Sequence, residues 1–150
     1  MRRVLTRAAW SATLALAMAG VMAVTAEEAM AEEALLEAIT GYMDFATYEA
    51  GIIMPDQMDQ MVFASALIVD TRDAAQFAAG HIPGAVNIEW REVPGRLDEL
   101  PQTGMVILYC NTGTLSAQSA FAARLLGREN VLMLQTGYEG WLANAPYKPD

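Results

Sequence analysis

From residue 51 onward, short continuously apolar runs alternate with stretches whose apolar residues recur at helical spacing. Gly51-Ile-Ile-Met54, Leu67-Ile-Val-Asp70, Ala85-Val-Asn-Ile88, Met105-Val-Ile-Leu-Tyr109 and Val131-Leu-Met-Leu134 read as buried strands. Their shortness, and the turn residues between them, favour strand over helix. Residues 55–61 open with proline and predict one or two helical turns. Residues 73–79 predict a short helix with Asp73 at its cap or in its first turn, closed by Gly80. Residues 89–100 mix polar residues with Pro94 and predict a loop and a short helix. Residues 117–126 place Ala117, Ala120, Phe121 and Leu125 on one face, with Ser116 as a candidate cap and Gly127 as the stop. A last helical turn or two is expected at 138–142. Strands alternating with helices imply an α/β domain whose parallel sheet is covered on both faces. In such folds the carboxyl ends of the strands carry the chemistry.

The chain before residue 51 reads differently. Residues 32–49 predict a helix, with Leu35, Leu36, Ile39 and Met43 at helical spacing and acids between them. Residues 1–26 have the pattern of a signal peptide. Arg2, Arg3 and Arg7 make a basic start, residues 8–26 carry no charge, and Val24-Thr25-Ala26 supplies small residues for cleavage. A second candidate cut follows Ala31. Arg2-Arg3 hints at the twin-arginine route, but the residues after it suit Sec export better. An uncleaved anchor is the alternative; alanine dominates the stretch, however, and a cleavage site follows it. The expected organisation is therefore a leader at 1–26, a helical extension at 27–50 and one domain at 51–150, with the mature protein periplasmic or secreted and off the membrane.

Charge narrows the partners. The formal net charge is −9, and loss of the leader's arginines makes the mature chain more acidic still. Such a chain is a poor ligand for nucleic acid or an anionic membrane. Hydrophobic residues make up 54% of the sequence, enough for a full core.

Cys110 is the only cysteine. Exported proteins use cysteines mostly in disulfide pairs, which a single one cannot form within its own fold. A buried, inert thiol packing as a small hydrophobe is one reading. Its setting argues for another. The strand at 105–109 stops at Cys110-Asn-Thr-Gly-Thr-Leu-Ser116, and a helix follows. A thiol there sits at a strand's carboxyl end and faces a helix amino end, which favours the reactive thiolate. Gly113 lets the loop curl, so that backbone N–H groups turn toward the sulfur.

Three stretches resemble the rhodanese family in its small single-domain exported form. Leu67-Ile-Val-Asp-Thr-Arg72, Phe77 and Gly80-His-Ile-Pro-Gly-Ala85-Val-Asn87 are similar to its D-x-R … F-x-x-G-H-I-x-G-A-x-N signature. Tyr109-Cys110-Asn-Thr-Gly113 resembles its active strand and loop, and Leu134-Gln-Thr-Gly137-Tyr-Glu-Gly-Trp141 its closing L-x-G-G-x-x-x-W. The resemblance implies a rhodanese-like α/β fold, a central parallel sheet with helices on both faces, as a single domain preceded by an N-terminal helix. It also implies a sulfurtransferase. Cys110 would be the catalytic nucleophile that takes a sulfane sulfur from thiosulfate, a polysulfide or a persulfide. A thiol or cyanide acceptor would then remove it. Asn111, Thr112, Gly113, Thr114, Leu115 and Ser116 would bind the transferred sulfur and its donor, and Asp70 and Arg72 would support the loop. No cofactor and no metal are implied, and an exported protein is a further candidate partner.

The chain departs from the family pattern in its electrically neutral loop. Leu115 stands where single-domain forms often carry arginine, which turns attention from thiosulfate toward persulfide donors. Ser116 stands where related phosphatases need the arginine that clamps a phosphoryl group. The neutral loop also keeps open a non-catalytic module that binds a partner or senses oxidation, and a redox protein that forms mixed disulfides. His81, the only histidine, fits a structural turn better than a Cys–His pair. Arg91 reads as a surface residue near the pocket mouth. Met54, Met58 and Met61 fit a packing face better than a copper site, and no Cys/His grouping fits zinc.

Overall fold

The computed structural model describes the backbone of residues 8–149 and the side chains from residue 25 onward. Helix α1 (Ala8–Phe45) belongs to one compact unit, 1–45, and the remaining elements to a second, 46–150. The expected helix at 32–49 stops at Phe45, and turns follow it. Of the expected leader, residues 1–7 lie outside the described residues, and 8–24 are described as backbone alone. Among the described residues, no helix is long and apolar enough to cross a membrane.

The second unit holds five strands: β1 (Ile52–Ile53), β2 (Leu67–Asp70), β3 (Val86–Asn87), β4 (Val106–Tyr109) and β5 (Val131–Leu134). They form one sheet in the order β1-β5-β4-β2-β3, and every pairing is parallel. Strand β4, buried at every position, lies at the centre, where both of its faces are covered. Its residues alternate between two cores. Val106 and Leu108 join Val69, Val131, Ala120 and Ala123 on one face. Ile107 and Tyr109 join Ile53, Ile68, Leu134 and Trp141 on the other. All four β4 side chains are fully buried. Burial of an aliphatic side chain of this size contributes about 1.5–3 kcal/mol, so this strand is a principal source of stability.

Helix α4 (Thr114–Leu125) and the two 3-10 turns at Val93–Gly95 and Leu97–Glu99 cover the first face. Helix α2 (Gln60–Ser65) and helix α5 (Gly137–Asn144) cover the second. Helix α3 (Ala74–Ala79) follows β2. Local chemistry starts the short helices. The Asp59 carboxylate accepts from Val62 N at 2.9 Å, and that of Asp73 from Gln76 N at 2.8 Å; each satisfies an amide of the first turn.

Two expectations are corrected here. The helix after Cys110 begins at Thr114, three residues earlier than its apolar face suggests, with Gly113 as its N-cap. Ser116 therefore sits inside the first turn rather than capping it. The methionine face is also wrong as a unit. Met58 is fully buried, whereas Met54 and Met61 are exposed, because the break between the 3-10 turn at Pro55–Gln57 and α2 interrupts helical periodicity.

Candidate active site

The carboxyl ends of β2 and β4 meet at Cys110. Thr71 ties them together: its N–H and its hydroxyl both donate to Tyr109 O, at 2.7 and 2.9 Å. The chain then leaves β4, and the next two peptides are held from the opposite side by the start of α5. Tyr138 N donates to Cys110 O at 2.7 Å and Glu139 N to Asn111 O at 3.1 Å. A peptide's N–H points away from its C=O. With the Asn111 carbonyl turned toward α5, the N–H of the same peptide, on Thr112, faces the sulfur.

Gly137 makes this approach feasible. A Cβ there would lie 2.3 Å from Cys110 O and 2.7 Å from Asn111 O, and its φ of +56° is left-handed. The closing motif of the sequence thus acts on the thiol loop, a role that linear spacing did not reveal. Gly113 is the second required glycine. Its φ is +95°, and a Cβ would press on Leu134 O, Met133 Cε and Thr136 N at 3.2–3.3 Å. Lacking a side chain, Gly113 offers no capping oxygen to α4. The first-turn amides that a serine or aspartate cap would have taken are left for another acceptor.

That acceptor is Cys110. The backbone N–H groups of Ser116, Thr112 and Leu115 hydrogen-bond its sulfur. The Ser116 hydroxyl lies 3.8 Å from Sγ and 3.0 Å from Gly113 O. Burial pushes the thiol pKa up, but these donors outweigh it and the net shift is downward. The helix dipole acts in the same direction. Cys110 is 3% exposed, and its accessible edge opens on a cleft of about 270 Å³.

Of the residues expected to bind the transferred sulfur, Asn111, Thr112 and Leu115 line that cleft. Gly113 and Ser116 are buried and act from beneath. Thr114 is exposed, its hydroxyl 3.3 Å from that of Thr112. The expected supports meet as well. Asp70 is fully buried and Arg72 is 6% exposed. Arg72 Nε donates to Asp70 Oδ1 at 2.9 Å and Nη2 donates to Oδ2 at 2.5 Å. Nη2 also donates to Gly80 O at 2.7 Å, and Nη1 to Asn111 Oδ1 at 3.2 Å. The bond to Asp70 raises the Arg72 pKa despite burial, so the guanidinium is a permanent fixture between β2 and the thiol loop. Its Cζ stacks 4.6 Å from the Tyr138 ring, which brings α5 into the same assembly.

His81 keeps its structural role. It stacks on Phe77 at 3.9 Å, and its Nδ1 lies 2.9 Å from Phe77 O. Arg91 is largely exposed, as expected, yet it also lines the Cys110 cleft, with Glu89, Trp90, Asp73 and Gln76. Sequence reasoning missed Glu89 and Gln76, which carry no motif signal. It missed the role of Asn87 too, whose Nδ2 donates to Asp70 O and Arg72 O at 2.9 Å each and clamps the turn between them.

Comparison with known proteins agrees with this architecture. The chain is 35% identical over 75 residues to a sulfurtransferase of Allochromatium vinosum, covering 50% of this chain and 70% of that one. It is 33% identical over 96 residues to the thiosulfate sulfurtransferase GlpE of Pseudomonas entomophila, covering 63% and 86%. The human single-domain sulfurtransferase TSTD1 superposes with a TM-score of 0.52 at 25% identity, over 63% of this chain and 96% of that one. A rhodanese-related protein from Thermoplasma volcanium shares the fold, with a TM-score of 0.57 at 20% identity, over 63% and 94%. The Rhodanese-like domain description matches residues 54–144, which span β2 to β5, the Cys110 loop and the closing glycine motif; the chain belongs to the rhodanese-like family.

Proposed function

We propose that this protein is a sulfurtransferase that carries sulfur as a persulfide on Cys110. The Cys110 thiolate attacks the outer sulfur of a sulfane donor. A Cys110 S–S bond forms, the donor's S–S bond breaks, and the donor's remainder leaves with the electron pair. With thiosulfate the leaving group is sulfite. A thiolate or cyanide then attacks the outer persulfide sulfur and restores the Cys110 thiolate. Covalent storage divides one transfer into two displacements.

The observation that carries this reading is the set of N–H groups on Sγ, drawn from Thr112, Leu115 and Ser116. Those donors stabilise an anion at the sulfur before and after it accepts a second sulfur atom, with no cation needed in the loop. The sulfurtransferase relatives support the same chemistry. The signal-peptide pattern at 1–26 supports export.

The test is direct. Incubation with thiosulfate or a polysulfide, followed by intact mass measurement, is expected to add one sulfur atom that a thiol reductant removes. Cys110→Ser is expected to add none. Equal uptake by that variant would end the persulfide mechanism. The 3% exposure of Cys110 favours a second reading, a partner-binding module without turnover. Absence of any sulfur adduct, together with capture of an exported partner, would favour that module.

A further inference from the structure

Four charged side chains line the cleft that opens on Cys110: Arg72, Arg91, Asp73 and Glu89. Arg72 is committed, with bonds to Asp70, Gly80 O and Asn111 on its three nitrogens. Arg91 is the only other cation in the cleft wall, and it is held by Glu89. Its Nε donates to Glu89 Oε1 and Oε2 at 3.0 and 3.2 Å, its Nη2 lies 2.9 Å from Oε1, and its own N–H donates to Oε2 at 2.9 Å. Glu89 is the less exposed partner, 19% against 73% for Arg91, so the carboxylate is the fixed part of the pair. Asp73 faces the cleft with no cation on it; its carboxylate accepts from Gln76 N. With both arginines neutralised, Asp73 leaves the wall with a surplus of negative charge, before that of a thiolate is added.

We propose that Glu89 is a specificity-determining residue: by holding Arg91 it removes the cleft's one available cation, so the site disfavours the dianion thiosulfate and accepts sulfane donors of lower charge. This rests on the sulfurtransferase reading and names its substrate class. Both steps balance. Thiosulfate would convert the Cys110 thiolate to a persulfide anion and release sulfite; a thiosulfonate such as benzenethiosulfonate would do the same and release benzenesulfinate. The two donors offer the same terminal sulfur with different charge. Repulsion by a fixed charge scales with the charge it meets.

The experiment compares the full chain with Glu89→Gln, measuring kcat/KM for thiosulfate and for benzenethiosulfonate with cyanide as acceptor. The wild type is expected to prefer the monoanion. Because the electrostatic energy doubles for the dianion, Glu89→Gln is expected to raise kcat/KM about threefold for benzenethiosulfonate and about tenfold for thiosulfate. Adding Arg91→Gln to Glu89→Gln is expected to abolish most of the thiosulfate gain, and thermal melts establish that each variant is folded. An unchanged ratio of the two donors in Glu89→Gln would overturn the proposal while leaving the sulfurtransferase reading intact. A gain that survives loss of Arg91 would overturn it too. If no form transfers sulfur from either donor, the sulfurtransferase reading fails and takes the proposal with it.

Discussion

Strands β2 and β4 run side by side, with Asp70 opposite Tyr109, and each delivers an acidic group to the same end of the sheet. At the end of β2 the Asp70 carboxylate is fully buried against a guanidinium. At the end of β4 the Cys110 sulfur is held by main-chain amides and one hydroxyl. An arginine is a strong, directional partner that holds its carboxylate in place. Amides lower the energy of an anion without giving it a counter-ion. The first arrangement suits a structural joint. The second suits an atom that must give up its electron pair, take on another sulfur and release it. The two are coupled, because Arg72 reaches from the joint to Asn111 in the thiol loop.

The largest effect is expected at the joint. Asp70→Asn leaves the Arg72 charge buried without its partner. A loss of about 3–5 kcal/mol of folding stability is expected, since an uncompensated buried charge is costly. Urea denaturation measures it, and a loss under about 1 kcal/mol would show that the pair does not act as a structural joint. Next in size is Gly137→Ala. The added Cβ meets Cys110 O at 2.3 Å, so either α5 or the thiol loop must move. Destabilisation of about 1–3 kcal/mol is expected from the strained backbone. The rate of thiol alkylation against pH should also shift to a higher midpoint as the Thr112 amide turns away. A variant with an unchanged pH profile would sever the link between α5 and the cradle.

The smallest expected effect comes from Ser116→Ala, which removes a single donor from the sulfur. The Cys110 pKa should rise and the thiolate fraction at neutral pH should fall, while the three amides keep most of the shift. Thermal stability should change by about 1 kcal/mol or less. A drop in midpoint on alkylation would contradict the assignment. Wild-type stability should follow the same sign. The thiol pKa is lower in the folded state than its ordinary value of 9.0. Its contribution is therefore full above that ordinary value, and it is lost as pH falls through the folded-state pKa.

Much of the fold and part of the site were legible in the chain itself. The strands, the Asp73 cap, the glycine in the loop and the position of Cys110 at a strand's end all follow from neighbours within about one helical turn. Period-two alternation on β4 assigns its side chains to opposite faces before any partner is known. The start of α4 was misplaced because Thr114 and Leu115 look like loop residues until Gly113 supplies the turn that recruits them. Met54 and Met61 were grouped with Met58 because spacing alone cannot see the break between two short helical segments.

What sequence order determined is which residues can form strands and caps, and that a lone thiol closes the central strand. Which way the loop's peptides face, the need for a small residue at Gly137 beside Cys110, and the pairing of Glu89 with Arg91 in the cleft wall are settled only in three dimensions. The reason is physical. Alternation and capping are interactions between near neighbours in the chain, whereas amide direction and charge pairing in the cleft depend on segments that meet only when the sheet assembles.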